Sequence, residues 1–190
     1  MLAEAHDLHQ RGLNVVVGVV EDHGRDHTAQ MAQGLPTIPR REVSYRGHRF
    51  SELDVEAVLA AEPQIVLVDE LAHTVVAEDD PHQVEPTKKR WHDVYRLLDA
   101  GIDVISTMNI QHLESLNDVV AAVTGVRQRE TVPDQVLRDA DEIELVDLSP
   151  DALRIRLSRG EIYEAEQAKK AMESYFRVGN LTALRELALL

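Results

Sequence analysis

Two adjacent carboxylates at the end of a short apolar run carry the chemistry of this chain. The run Gln64-Ile-Val-Leu-Val-Asp69-Glu70-Leu-Ala-His73-Thr74 reads as a strand that delivers Asp69 and Glu70 to its C-terminal end, with His73 and Thr74 just beyond. That is the order of a Walker B segment. The first carboxylate, Asp69, holds Mg²⁺, usually through water, and the second, Glu70, orients or deprotonates a water. A second polar cluster, Asn109, Gln111 and His112, follows the apolar stretch 103–108. Ligands of open α/β sheets bind at the carboxyl ends of strands. Asp69, Glu70, His73, Thr74, Asn109, Gln111 and His112 therefore form the candidate nucleotide-binding set. Within it Asp69 is the candidate Mg²⁺ ligand and Glu70 the candidate catalytic base. The competing reading of such a pair is a solvated strand terminus. A Walker B strand ordinarily works beside a glycine-rich loop ending in Gly-Lys-Ser/Thr, and the 190 residues contain none.

The elements that must position these residues alternate between strand and helix, the pattern of an α/β fold with a mainly parallel sheet. The spacing predicts a helix over 2–11 and a strand over 15–20, whose continuous β-branched run marks burial on both faces. A short helix follows over 26–33. The stretch 36–50 reads as a small antiparallel hairpin turning at Arg46-Gly47. Ser51 is placed as the cap of a helix ending near Glu62, ahead of the strand 65–69. Residues 75–87 are polar and read as a flexible loop. A helix from 87 or 88 stops at Gly101, residues 103–108 form the next buried strand, and 109–123 a helix. Strand-like patterns occupy 126–132 and 142–148, with Glu130 to Asp134 turning into a short helix between them. Helices over 150–159, 163–176 and 180–190 follow. The expected division is an α/β domain over 1–148 and a helical C-terminal extension over 149–190. The last helix reaches Leu190 without a cap, which predicts a longer polypeptide.

A hydrophobic fraction of 44% suits a packed core, and no apolar run approaches the ~18–20 residues of a membrane helix. The net charge of −14 argues against nucleic acid as a partner and against adhesion to an anionic membrane. The absence of cysteine removes disulfides, thiolate zinc sites and a cysteine nucleophile, and fits a reducing cytoplasm. Lys88-Lys89-Arg90 reads as a solvated helix end rather than a functional basic patch. His23 and His27, like His6 and His9, have helical spacing but no third metal ligand, so solvent-facing histidines are expected. Trp91 is expected to pack helix against sheet.

Several stretches in order resemble one family over nearly the whole chain. They are Val15-Val-Val-Gly-Val-Val-Glu21-Asp-His-Gly24-Arg25, Leu67-Val-Asp-Glu-Leu-Ala-His-Thr74, Lys89-Arg-Trp-His-Asp-Val94 and Gly101-Ile-Asp-Val104. They continue with Asn109-Ile-Gln-His-Leu-Glu-Ser-Leu-Asn-Asp118, Glu130-Thr-Val-Pro-Asp134, Glu144-Leu-Val-Asp-Leu148 and Gly179-Asn-Leu-Thr-Ala-Leu-Arg-Glu-Leu-Ala188. Together they resemble the N-terminal cytoplasmic domain of the Kdp-type osmosensitive potassium-channel sensor histidine kinases. The resemblance implies a three-layer α/β fold like that of phosphate-loop NTPases, with helices on both faces of the sheet. It implies a cytoplasmic regulatory role in a two-component potassium or osmotic-stress sensor whose full-length form is anchored in the membrane. The implied cofactor is Mg-ATP. The implied partners are the other cytoplasmic domains of the kinase and a response-regulator pathway.

The departures from the family carry further expectations. The family domain opens with a strand and a loop ending Gly-Val-Gly-Lys-Thr, and the helix after that loop resembles residues 2–10. The first strand and phosphate loop are thus expected to be missing ahead of Met1. After Thr74 the family has Asn, whereas here stand Val75-Val76 and then an acidic insert, Glu78-Asp79-Asp80. The missing strand is expected inside the sheet beside the Walker B strand, leaving two unpartnered strands and an apolar slot. Without the loop's N–H groups and Lys the triphosphate loses its main cradle, so weak or absent ATP binding is expected. No phospho-acceptor His box, ATP lid or transmembrane segment is recognisable, and kinase activity is assigned to the family's full-length proteins. Two other functions fit the same residues: a small Mg-dependent NTPase using Asp69 and Glu70, and a nucleotide-independent interaction module.

Overall fold

Val15, Val16, Val17 and Val19 have little χ1 freedom to lose in extended chain, and all four are buried. They form β1 (Val15–Val19) in the computed structural model, which describes residues 1–76, 88–163 and 165–189. The insert Glu78-Asp79-Asp80 and most of the expected loop 75–87 lie outside the described residues. The chain divides into two compact units, Met1–Met108 and Asn109–Leu190.

In the first unit α1 (Leu2–Gln10) precedes β1, and α2 (Asp26–Ala32) follows it. Then come β2 (Arg41–Tyr45), β3 (His48–Glu52), α3 (Val55–Ala61), β4 (Ile65–Val68), α4 (Arg90–Asp99) and β5 (Asp103–Ser106). Strands β1, β4 and β5 form a parallel sheet with β4 in the centre and helices on both sides. Side-chain alternation sends Val15, Val17, Ile65 and Leu67 to one face, where they meet Ala5 of α1 and Leu35. Val16, Val66 and Val68 fill the other face, all buried. Residues 36–38 cover the outer edge of β1: Val17 N–H donates to Pro36 O (2.7 Å) and Ile38 N–H to Val17 O (2.9 Å).

Gly18 is the extra residue of a bulge, since Val17 pairs with Leu67 but Val19 with Val68. A Cβ at this position would lie 2.8 Å from Leu53 Cδ1, 2.9 Å from Val66 Cγ2 and 3.2 Å from Leu67 O. Strands β2 and β3 form the expected hairpin. Its turn residues Arg46 (φ 49°) and Gly47 (φ 77°) are both left-handed, the I′ geometry that matches the twist of hairpin strands.

The structure corrects several expectations in the first unit. Ser51 lies in β3 opposite Glu42, and Asp54 caps α3 instead, its Oδ1 accepting Ala57 N–H at 3.0 Å. The strand expected to be buried over 103–108 ends at Ser106 and is only half-buried, because β5 is an edge of the described sheet. No slot opens beside β4, which is paired on both sides, with Ile65 opposite Val15 and Asp103.

The second unit opens with two 3-10 turns, Ile110–His112 and Glu114–Leu116, where a helix over 109–123 was expected. Between them Leu113 is extended and bridges to Val132: Val132 N–H donates to His112 O (2.8 Å) and Glu114 N–H to Val132 O (3.0 Å). That long-range pairing removes Leu113 from helical geometry, and α5 (Asn117–Thr124) starts only afterwards. The strand expected over 126–132 reduces to this bridge, and 142–148 forms no strand. The unit continues through α6 (Asp134–Arg138), α7 (Pro150–Ser158), α8 (Ala165–Glu173) and α9 (Val178–Leu189). Its core includes Val120, Leu157, Ala168, Leu181 and Leu184. Among the described residues no helix is long and apolar enough to cross a membrane.

Gly18→Ala forces Leu53, Val66 and the Leu67 carbonyl apart. It is expected to destabilise the first unit by about 1–3 kcal/mol, the usual cost of overpacking, read as a lower urea midpoint at unchanged slope.

Candidate functional site

Asp69 is the first residue past β4 and the point where three parallel strand ends meet. Its Oδ2 accepts Glu21 N–H from beyond β1 (3.0 Å), and its Oδ1 accepts the Thr107 hydroxyl from beyond β5 and Glu70 N–H (3.1 Å). Its own N–H donates to Val19 O (3.0 Å), and its carbonyl accepts Arg90 Nη1 (2.8 Å). A carboxylate offers about four lone-pair positions, so three donors leave Asp69 roughly one for a further contact. A Mg²⁺ ion held through a single water fits that remainder; a direct, multiply coordinated one does not. Among the described residues no group of three or more His, Cys, Asp or Glu side chains is arranged to hold a metal.

Glu70 turns the other way. Its backbone is left-handed at φ 53°, fixed by its N–H between Asp69 Oδ1 and Thr107 Oγ1 (3.2 Å). Such non-glycine conformations cost on the order of 1–3 kcal/mol and persist only where surroundings enforce them. The carboxylate is thereby presented outward, 42% exposed, and accepts a hydrogen bond from His23 Nε2 at 2.6 Å. His23 is itself left-handed (φ 49°) and precedes α2, so it does not share a helix face with His27.

Behind the acidic pair lies a buried ionic network that the sequence reading missed. Arg90, read there as part of a solvated helix end, is fully buried. Its Nη2 lies 3.5 Å from both Glu21 Oε1 and Glu52 Oε2, and its backbone N–H donates to His73 O at 2.9 Å. Glu52, the last residue of β3, is also buried and accepts from His73 Nε2 (3.1 and 3.2 Å) and Val76 N–H (3.0 Å). Burial pushes the Glu52 carboxyl up, but the bonds from His73 and Val76, with the charges of His73 and Arg90, bring it below the ordinary value of 4.5. Arg40 adds a second cation on Glu21 (3.2 Å). Lys89 Nζ donates to Thr74 Oγ1 (2.5 Å) and Lys88, exposed, pairs with buried Asp93, so of Lys88-Lys89-Arg90 the arginine alone turns inward.

Asp69, Glu70, His73 and Thr74 thus share one strand end of the first unit. Asn109, Gln111 and His112 belong to the second unit, where each has local partners. The Asn109 carbonyl accepts His112 N–H (3.0 Å), Gln111 Oε1 accepts the Tyr175 hydroxyl, and His112 Nδ1 donates to Glu130 O (2.8 Å). Burial, with a smaller contribution from Tyr163, pushes Tyr175 up to about 12, so it acts there as a donor. Trp91 stacks on His92 (3.6 Å between ring centres) and meets Tyr95 edge-on (5.8 Å).

A parallel sheet whose central strand ends in Asp-Glu, clasped to both neighbouring strands and backed by a buried arginine, defines an α/β domain with an acidic strand-end site. Over residues 1–190 the chain matches the family described as the osmosensitive K⁺ channel His kinase sensor domain, and it belongs to that family. It is 58% identical over 190 residues to Sensor protein KdpD of Mycobacterium tuberculosis and 55% identical over 189 residues to Sensor protein KdpD of Escherichia coli. It is 48% identical over 189 residues to the Putative sensor protein KdpD of Synechocystis. Each match covers 100% of this chain, which spans 21%, 20% and 50% of those three proteins, respectively.

Two outcomes follow from the ionic network. Arg90→Ala strands the buried Glu52 carboxylate and is expected to cost about 3–5 kcal/mol, measured by urea unfolding at neutral pH. The lowered Glu52 value gives stability that is full above 4.5 and lost as pH falls through the folded-state value. The wild-type urea midpoint is expected to fall in that acidic window more steeply than that of Glu52→Gln. Parallel acid limbs would show that Glu52 is not linked to folding.

Proposed function

We propose that this domain is the regulatory input module of a two-component sensor kinase responding to potassium or osmotic stress. It modulates kinase or phosphatase output through contacts with the other cytoplasmic domains of the longer protein, and through them a response regulator. The observation that carries this reading is the family match over the whole chain. We read the acidic strand end as a Walker B-like site on a phosphate-loop-NTPase-like scaffold, with Asp69 toward Mg²⁺ and Glu70 toward water. The parallel order β1-β4-β5, with the acidic pair leaving the central strand, supports that reading. Its nucleotide affinity is weak in this chain: three donors already occupy Asp69, and the 190 residues carry no Gly-Lys-Ser/Thr loop.

A second reading, a small Mg-dependent NTPase, draws on one observation. Glu70 is strained, outward and paired with His23 at 2.6 Å, and strained acids cluster at functional sites.

The test uses the full-length sensor carrying this domain, reconstituted and assayed for autophosphorylation across potassium concentrations. Asp69→Asn and Glu70→Gln are expected to move the potassium response without abolishing phosphorylation. If neither moves it, the acidic pair has no regulatory role. Calorimetry of the 190-residue chain with Mg-ATP is expected to give millimolar or undetectable binding. Low-micromolar affinity would refute the weak-site reading, and turnover lost in Glu70→Gln would favour the NTPase.

A further inference from the structure

His23 and Glu70 stand 47 residues apart in the chain, yet their side chains meet at 2.6 Å. His23 takes its left-handed backbone (φ 49°) as the first central residue of a turn, with Gly24 (φ 74°) as the second. Arg25 N–H closes that turn on Asp22 O at 2.8 Å. The turn is fixed without the imidazole. Asp22 Oδ1 accepts Gly24 N–H (2.9 Å), and Arg25 holds Asp22 O through Nε (2.8 Å) and Glu21 O through Nη2 (3.2 Å). Glu21 N–H is already anchored on Asp69. The His23 and Glu70 side chains are 54% and 42% exposed, and exposed ion pairs add little to stability. The pair is therefore not what holds the loop to the strand end.

Its chemistry is more specific than its packing. A carboxylate only accepts, so the ring nitrogen that faces Glu70, Nε2, carries the proton. In the neutral ring the lone pair then lies on Nδ1, which has no partner among the described residues. An imidazole whose tautomer is set by a carboxylate, with its other nitrogen free, is the arrangement that takes a proton from a water or a hydroxyl.

We propose that His23 is the proton-accepting group of the acidic strand end and that Glu70 is its positioning residue. This rests on the reading of that edge as a Walker B-like site, and it changes the part Glu70 plays there: the carboxylate acts on water through the imidazole. The step is a proton transfer. A water O–H bond breaks with its electron pair left on oxygen, the Nδ1–H bond forms, and the imidazolium stands against the Glu70 carboxylate.

Imidazole nitrogen NMR of the 190-residue chain reads the tautomer, with His23 assigned by its loss in His23→Gly. The neutral ring is expected as the Nε2–H form. That preference is expected to disappear in Glu70→Gly, which removes the carboxylate while suiting the left-handed backbone. An Nδ1–H ring, or a tautomer that Glu70→Gly leaves unchanged, overturns the proposal. The second measurement uses the full-length sensor, reconstituted and assayed for autophosphorylation across potassium concentrations. His23→Gly and Glu70→Gly are expected to shift the half-maximal potassium concentration by the same factor. The double variant is expected within about twofold of either, the usual error of additivity. Added imidazole is expected to return His23→Gly, and not Glu70→Gly, toward wild type. A shift in Glu70→Gly with none in His23→Gly sinks the inference and leaves the reading of the site standing; no shift in either removes both. Shifts that add, or a His23→Gly shift that imidazole does not reverse, leave His23 a structural role and overturn the proposal as well.

Discussion

The carboxylate of Asp69 solves a problem built into a parallel sheet. Parallel strands are joined by long crossovers, not by tight turns, so nothing local keeps their C-terminal ends in line. Here one side chain collects a backbone N–H from beyond β1 and a hydroxyl from beyond β5 while standing at the end of β4. The loops at 20–25, 69–76 and 107–108 take their starting positions from that clasp. The left-handed turn at Glu70 follows from it, because the Glu70 N–H is held by Asp69 and Thr107 together. The order Asp then Glu therefore divides labour. The inward residue fixes the edge, and the outward one is left for chemistry or contact.

Arg90 is the second element on which this edge depends. Burying a guanidinium is costly unless carboxylates and carbonyls surround it. Here Glu21, Glu52 and the Asp69 carbonyl do so, with His73 closing the far side of Glu52. The network ties the start of α4 to the ends of β1, β3 and β4. It also explains why the hairpin, whose only buried residues are Val43 and Glu52, stays docked: its contribution to the interior is one valine and one charge. A hairpin held by so little apolar burial leaves most of its surface, and nearly all of its basic charge, facing outward.

What could be read from the sequence was what depends on neighbours in the chain. The apolar runs of β1 and β4, the Arg46-Gly47 turn and the three late helices follow from β-branching, turn chemistry and helical period. What could not be read depends on distant partners. Arg90 lies 69 residues from Glu21 and 38 from Glu52, and Lys-Lys-Arg alone reads as surface. Helical periodicity continues through 109–116, but the bridge from Leu113 to Val132 overrides it. Asp69, Glu70, His73 and Thr74 share a strand end because they share a chain segment. Gln111 and His112 looked equivalent in sequence, yet Tyr175 and Glu130 give them structural partners within their own unit.

The segment 142–148 shows the same limit from the other side. It mixes acidic and apolar side chains in a way that reads as a strand, but such a pattern sets only the faces of a strand; a strand exists when another backbone satisfies its amides. The hairpin carries its partner two residues away across a turn. Residues 142–148 are followed directly by Ser149, whose hydroxyl caps α7 by accepting Ala152 N–H at 3.2 Å. The helix start fixes one end, and the Arg185 fork holds Asp147 beside it. The apolar side chains upstream are exposed, in a stretch whose main chain makes no hydrogen bond among the described residues.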